Sequence, residues 1–260
     1  MSDFKRYIEI NRESWNKRTP IHIKSKFYNN SKFKKEINSL NSIEVNAIGD
    51  IKEKTILHLQ CHFGQDSISL AKMGAKVTAV DFSDIAIEEA KKISKETNIN
   101  VDFIKSNILE LDIDKQFDII FTSYGVLGWL PDLNKWGRVI SKHLKKGGFI
   151  LLTEFHPFLE LIKDEGYDYF YSKSPDIGNN GTYTDGGEKL TTNTCWWNHS
   201  LTSIFTALES NGLKLKLFEE FDYSPYLLEG MVKTESGKHK LKERKNLKLP
   251  YVYNLKAIKK

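Results

Sequence analysis

Residues Thr55 to Asp81, TILHLQCHFGQDSISLAKMGAKVTAVD, constrain the fold more than any other stretch. Thr55–Gln60 alternates and is rich in apolar residues, as a strand is. A turn follows around Gly64, and Ile68, Leu70, Ala71 and Met73 then run ahead of Gly74, which suits a helix and its stop. A second strand, Lys76–Val80, comes at once and ends on Asp81. Parallel strands joined this way require a right-handed crossover with the loop at the carboxyl end of the first strand. Ligands of open α/β sheets bind at that end. A tight turn there aims the amides of the next helix at one spot, and an acid ending the second strand can accept from both hydroxyls of a ribose. Gly64 and Asp81 are therefore the first candidate binding residues. Singly, each serves as well as a turn glycine or a helix-capping acid.

The same alternation continues. Ser83 is placed to cap a helix with Ala86, Ala90 and Ile93 on one face, and Val101–Lys105 reads as a third strand with Asn107 just past it. Phe117–Thr122 is too continuously apolar for a half-exposed strand, so it is expected centrally in the sheet. Beyond it, Ser123-Tyr124-Gly125-Val126-Leu127 and Trp129 lead through Asp132 into a helix carrying Leu133, Trp136, Ile140 and Leu144 inward. Lys145–Gly148 reads as a turn, and Phe149–Thr153 as a fifth strand ending in Glu154-Phe155-His156-Pro157.

Periodicity then breaks. From Phe158 to about Asn198, Tyr167, Tyr169, Phe170, Tyr171 and Tyr183 crowd among Ser-Pro, Asn-Asn-Gly and Asp-Gly-Gly turns. A stretch this long in a compact domain is usually functional or has short elements of its own. It reads as a substrate lid with one small hairpin, or alternatively as a surface excursion that aids oligomerisation. Leu201, Ile204, Phe205 and Leu208 mark a further helix stopped by Gly212, followed by strands at Leu213–Phe218 and Pro250–Ile258. Ahead of the first strand, Phe4, Tyr7, Ile8 and Trp15 face inward along a helix that Thr19-Pro20 is expected to end.

Charge is unevenly spread. Of 39 Lys and Arg against 34 acids, residues 1–40 hold ten against four and residues 231–260 ten against two, leaving 19 against 28 between them. Basic ends suit nucleic acid or an anionic substrate. No arginine-rich or aromatic-interleaved pattern accompanies them, so solvated lysines are the reading and nucleic acid is not an expected partner. No apolar run reaches transmembrane length, MSDFKRYIEINRESW lacks the centre of a secretory signal, and Cys61 and Cys195 are too few for a disulfide scaffold. A cytoplasmic location without membrane contact is expected; the oligomeric state is not legible.

The successive stretches LHLQCHFGQD, AVDFSDIAIEEA, FDIIFTSYGVLGWLPDL and HLKKGGFILLTEF resemble, in order and spacing, the motifs of class I S-adenosylmethionine-dependent methyltransferases. The resemblance covers roughly Lys54–His156, and its first motif is similar to that of a bacterial subgroup with an LHLQCHFG loop. One departure stands out: where the family carries an acid and three glycines, this chain has His58, Gln60, His62 and only the matching Gly64. The resemblance implies an α/β, Rossmann-like fold with a seven-stranded, mostly parallel sheet, N-terminal helices near the cofactor and a lid insertion after the fifth strand. A single domain is expected, divided into a helical segment (1–50), a cofactor-binding core (51–156), the lid (157–198) and a closing helix with antiparallel strands (199–260). The implied cofactor is S-adenosylmethionine, leaving S-adenosylhomocysteine as product. Its implied contacts are Gln60, His62, Gly64, Asp81, Phe82, Asn107, Ile108 and Tyr124. Trp129, Trp196 and Trp197 are candidate walls for a small-molecule methyl acceptor.

In-line methyl transfer needs alignment and exclusion of water more than a conspicuous catalytic set. A nitrogen or hydroxyl acceptor still profits from a base. His156 and His199 are the candidates, with Glu154 as an orienting group, although a lone histidine is more often structural. His58, Cys61 and His62 lack the partners of a closed metal set, so no metal is expected. A nicotinamide enzyme would want Gly-x-Gly-x-x-Gly where Gln60, His62 and Gln65 stand. A hydrolase would want a Gly-x-Ser-x-Gly elbow, which is absent from the sequence. The alternative from another class is a non-catalytic nucleoside-binding or protein/RNA interaction module on the same fold, for which the glycine-poor loop is the support.

Overall fold

The computed structural model describes residues 3–163 and 168–260. Tyr167, expected among the lid aromatics, lies outside the described residues. In chain order the elements are helices α1 (Asp3–Lys24), α2 (Asn30–Glu36) and α3 (Ser42–Ile48), then β1 (Thr55–Leu59), α4 (Gln65–Lys72), β2 (Lys76–Asp81), α5 (Asp84–Thr97) and β3 (Asp102–Lys105). They continue with β4 (Phe117–Ser123), α6 (Leu133–His143), β5 (Leu144–Phe155), α7 (Phe158–Lys163), β6 (Asp176–Asn180) and β7 (Thr192–Trp196). Last come α8 (Leu201–Glu209), β8 (Leu213–Phe221), β9 (Met231–Lys233), β10 (His239–Leu241) and β11 (Val252–Lys259).

Seven strands form the central sheet in the order β3-β2-β1-β4-β5-β11-β8. The first five are parallel, and β11 runs antiparallel between β5 and β8. Side chains alternate across the pleat, so Ile120 packs with Trp136, Ile140 and Leu208 on the α6/α8 face, while Ile119 and Phe121 pack with Ile56, Ile68 and Ala90 on the α4/α5 face. Both faces of β1 and β4 are therefore buried, which is why these strands read as continuous apolar runs. The strand order turns about β1 and β4, and their carboxyl ends open the crevice in which ligands of such sheets bind.

Three features differ from the expectations above. Helix α1 continues through Pro20 to Lys24. Proline removes one amide donor there, and the turn is held instead by the Thr19 hydroxyl, which donates to the Trp15 carbonyl at 2.8 Å, and by the burial of Arg18, Thr19 and His22. Lys145–Gly148 does not separate helix from strand. It belongs to β5, where the pairing with β4 jumps from Phe117–Leu144 to Ile119–Phe149 and absorbs the extra residues as a bulge. The basic stretch before the last strand carries its own short hairpin, β9–β10.

The insertion after β5 contains α7 and the antiparallel pair β6–β7, registered from Asp176–Trp196 to Asn180–Thr192. It is tied to the N-terminal segment at several points. The Asn11 side chain exchanges two hydrogen bonds with the Cys195 backbone, each 2.8 Å, as a neighbouring strand would. Asp185 accepts from the amides of Lys26 and Phe27, and His22 Nε2 meets Thr182 Oγ1 at 2.5 Å.

Gly137 is where α6 and α8 touch: an added Cβ would lie 2.4 Å from the Ala207 carbonyl oxygen. Helix propensity favours alanine over glycine by about 1 kcal/mol, but overpacking against a backbone oxygen outweighs it. Gly137→Ala is expected to lower the stability measured by urea unfolding by about 1–2 kcal/mol net.

Candidate functional site

The site begins where β1 ends. Gln60, His62 and Gly64 all have left-handed backbones, with φ of 56°, 51° and 78°. The loop thus keeps a glycine-type path although two of the three residues carry side chains, an arrangement disfavoured for non-glycine residues and worth stabilising by neighbours. Those neighbours are visible. The Cys61 amide donates to the Val80 carbonyl at 3.0 Å, and the His62 amide to Asp81 Oδ2 at 2.8 Å. Asp81 Oδ1 accepts from the Ser83 amide at 2.9 Å, so one carboxylate joins the loop to the start of α5. Burial pushes the Asp81 carboxyl up to about 6, against the pull of these amides. Gly64 has no room for a side chain: an added Cβ would meet the Phe103 ring at 2.7 Å.

Where glycines would leave space, this loop places functional groups. Gln60 Nε2 donates to the Val126 carbonyl at 2.9 Å, while its Oε1 is buried without a partner at the cavity wall. The His62 ring packs among Trp15, Tyr28 and Phe63, and its Nε2 lies 2.9 Å from His22 Nδ1. Burial depresses both imidazoles, His22 to about 3, so the pair is neutral and one ring N–H donates to the other's lone pair. His58, at the position of the missing acid, is 2 % exposed and shares a 2.7 Å hydrogen bond with Ser67.

Above the loop is a cavity of about 650 Å³. Gln60, His62, Gly64, Asp81 and Phe82 line it from the sheet, Tyr124 and Trp129 from the segment after β4, and Trp15, Tyr28, Tyr183 and Trp196 from α1, the turn after it and the lid. Trp129 stands edge-on between Trp15 and Trp196, with ring centroids 5.3 and 5.1 Å away. Trp196 also covers Gly128, where an added Cβ would fall 2.1 Å from its ring.

Not every expected residue reaches this space. The Asn107 side chain accepts from the Leu109 amide at 3.1 Å and caps a 3₁₀ turn, Ile108 is a core residue, and neither lines the cavity. Trp197 is buried against Phe4 and Tyr7, outside the lining. His199 donates from Nε2 to the Leu130 carbonyl and stacks on Tyr171; burial lowers it to about 4. His156 accepts at Nδ1 from the Phe158 amide and holds Glu220 at Nε2. Glu154 accepts from the amides of Gly125, Val126, Leu127 and Phe155, clamping the turn after β4. These three groups therefore act as framework, and none lines the cavity.

Two buried polar groups, Glu44 and Arg18, were not among the residues the sequence singled out. Tyr124, left-handed at φ 45°, donates its hydroxyl to Glu44 Oε2 at 2.7 Å. Glu44 lies in α3, 1 % exposed, and burial pushes its carboxyl up to about 7. Nearby, Asp66 accepts from Ser39 and Ser123 on the cavity wall. The second group is Arg18, buried between Trp15 and Trp129. A helical spacing of Trp15, Arg18 and His22 places all three on one face and was a usable signal; nothing local pairs Glu44 with Tyr124.

The sheet order and the crevice at the β1 and β4 ends are those of the class I S-adenosylmethionine-dependent methyltransferase fold. Comparison with known proteins agrees: residues 56–148 match a family described as a methyltransferase domain. The chain is 31% identical over 137 residues to demethylmenaquinone methyltransferase of Lactococcus lactis, covering 50% of this chain and 54% of that protein. It is 30% identical over 104 residues to ubiquinone biosynthesis O-methyltransferase of Rickettsia conorii, covering 40% and 36%. The chain thus spans about half or less of the length of these curated relatives. A methyltransferase structure from Clostridium acetobutylicum superposes with a TM-score of 0.61 at 16% identity, over 94% of this chain and 98% of the other. Among the described residues, no helix is long and apolar enough to cross a membrane.

His58 also makes the site pH-sensitive. Burial alone depresses its imidazole to about 3, below the ordinary 6.5, so its contribution to stability is complete above pH 6.5 and is lost as pH falls toward 3. His58→Asn is expected to lose about 2 kcal/mol less unfolding free energy than the parent between pH 7.5 and 5, measured by urea titration at the two pH values.

Proposed function

We propose that this protein is an S-adenosylmethionine-dependent methyltransferase that alkylates a small-molecule acceptor, and that it belongs with the bacterial subgroup sharing the LHLQCHFG loop. The observation that carries the reading is the meeting of Asp81 and the left-handed Gln60–Gly64 loop at the floor of an aromatic-walled cavity. Asp81 accepts the His62 amide on Oδ2 and the Ser83 amide on Oδ1, and a carboxylate offers about four lone pairs, so it can still accept from a ligand hydroxyl. Gln60 Oε1 is an orphan acceptor, which a donor-bearing ligand would satisfy. Phe82 offers an apolar wall beside Asp81. These groups fit a nucleoside with an ammonium-bearing tail.

When bound, the cofactor supplies an electrophilic methyl on a sulfonium sulfur. The chain's own part is orientation, dryness and proton removal. Trp15, Trp129, Trp196 and Tyr183 exclude water and offer faces to a flat acceptor. Tyr124 lines the cavity with its hydroxyl already donating to Glu44. A proton leaving an acceptor at Tyr124 Oη can pass to the Glu44 carboxylate as the phenol hands on its own. That transfer would leave Glu44 neutral, which its burial favours. The two curated relatives are named for demethylmenaquinone and for ubiquinone biosynthesis, which suits a ring-bearing acceptor. We place the reaction in the cytoplasm, with no nucleic-acid partner.

Calorimetric titration with S-adenosylmethionine and S-adenosylhomocysteine tests the reading. Micromolar binding is expected, weakened at least about tenfold in Asp81→Ala, as loss of charge-assisted hydrogen bonds implies. Folded protein, free of carried-over ligand, that binds neither compound would sink it and favour the non-catalytic module.

A further inference from the structure

A second carboxylate faces the cavity, in a part of the crevice apart from Asp81. Asp66 lies in the first turn of α4 and accepts from the Ser39 hydroxyl at 2.6 Å and the Ser123 hydroxyl at 3.1 Å. Ser123 ends β4, two strands from the β2 that carries Asp81, and neighbouring strands stand about 4.8 Å apart. Asp66 is only half-buried and lines the cavity, with lone pairs beyond those the serines use. Among the described residues no lysine, arginine or histidine pairs with it. Lys26 and Lys32 also line the cavity, but both are exposed and Lys32 holds Glu36. Arg18 acts on Tyr183 and His22 instead. Two further acids add to the negative field, Glu44 behind Tyr124 and Glu160 on the lining.

Aromatic rings surround this carboxylate, and its field reaches the phenols of Tyr28, Tyr124 and Tyr226. Tyr226 stands edge-on to Tyr124 with centroids 5.0 Å apart and stacks on Phe27 at 5.6 Å. Phe27 in turn meets Tyr183 at 5.4 Å, and the Tyr183 and Tyr28 hydroxyls share a hydrogen bond. The other two hydroxyls are also engaged, Tyr124 with Glu44 and Tyr226 with Asn41, so the belt offers a ligand mainly ring surface. A carboxylate inside such a belt favours an organic ammonium, which gains a charge-assisted hydrogen bond from the acid and attraction to the negative ring faces. An anion would meet like charge there. A neutral ring would leave the carboxylate without a counter-ion. We propose that the acceptor is an organic amine, bound as its ammonium at Asp66 within the belt of Phe27, Tyr28, Tyr124, Tyr183 and Tyr226. The proposal rests on the nucleoside reading above and names the acceptor class.

The test is calorimetry on the full chain saturated with S-adenosylhomocysteine, so that the cofactor's own ammonium is already seated. Phenethylamine is compared with 3-phenylpropionate, which shares its body and differs in charge. The amine is expected to bind at least tenfold tighter. Asp66→Asn is expected to erase that preference while binding S-adenosylhomocysteine within twofold of the parent. Tyr226 lies between β8 and β9, outside both; Tyr226→Leu is expected to weaken phenethylamine at least threefold, and Tyr226→Phe, which keeps the ring, less than twofold. A parent that binds phenylpropionate as well as phenethylamine, or better, overturns the proposal. So does an Asp66→Asn variant that keeps the preference, or one that loses S-adenosylhomocysteine tenfold, which gives the carboxylate to the cofactor. If Asp66→Asn does not fold, the Tyr226 variants decide, and equal amine binding by both and the parent overturns the proposal. A parent that binds no S-adenosylhomocysteine overturns the nucleoside reading, and the acceptor class with it.

Discussion

The carboxylate of Asp81 is the contact on which the site depends. It takes the amide of His62 from the loop after β1 and the amide of Ser83 from the start of α5, so two crossovers of the parallel sheet are registered against one another by a single side chain. Without that bridge, left-handed backbones at Gln60 and His62 would have little to hold them, since neither residue has a glycine's freedom. The aromatic wall follows from the same loop, because the His62 ring is the surface on which Trp15, His22 and Tyr28 assemble. Departure from a glycine-rich loop is thus compensated locally: the backbone path is retained, and the added side chains become wall and hydrogen-bonding groups.

The electrostatics of the cavity follow a simple division. Histidines that surround it are held neutral by burial, and its carboxyls are raised by the same cause while neighbouring hydroxyls and amides satisfy them. Burial disfavours charge of either sign, so Asp81 and Glu44 keep a carboxylate only with the help of the amides and hydroxyl that donate to them, whereas Arg18 stays charged because a guanidinium does not deprotonate. The polar character of the interior is therefore concentrated at few points, with apolar rings between them.

How far this was legible in the sequence depends on the range of the interactions. The β1–α4–β2 unit was readable because strand alternation, the Gly64 turn and the terminal Asp81 are all local; the parallel part of the sheet followed from repetition of that pattern, and the seven-stranded arrangement from the family resemblance. Pro20 misled because a helix can tolerate proline where buried neighbours and the Thr19 hydroxyl hold the turn. Histidines His156 and His199 looked available because sequence does not show that Glu220, Leu130 and Tyr171 occupy them. Glu154 lies at the expected strand end, yet four backbone amides claim it. Tyr124 and Glu44 are 80 positions apart, and only the packing of α3 against β5 and β11 brings them together.

The ties between α1 and the lid join residues far apart along the chain: Asn11 with Cys195, His22 with Thr182, Lys26 with Asp185. Strand β11 likewise fills a gap between β5 and β8 that stays open until residues 252–259 are present. During synthesis from the amino terminus, the parallel half of the sheet, the cavity floor and the wall contributed by α1 can form while Tyr183, Trp196 and one neighbour of β5 are still inside the ribosome. A growing chain would then have an open crevice but no enclosed chamber. Closure of that chamber would come late rather than strand by strand.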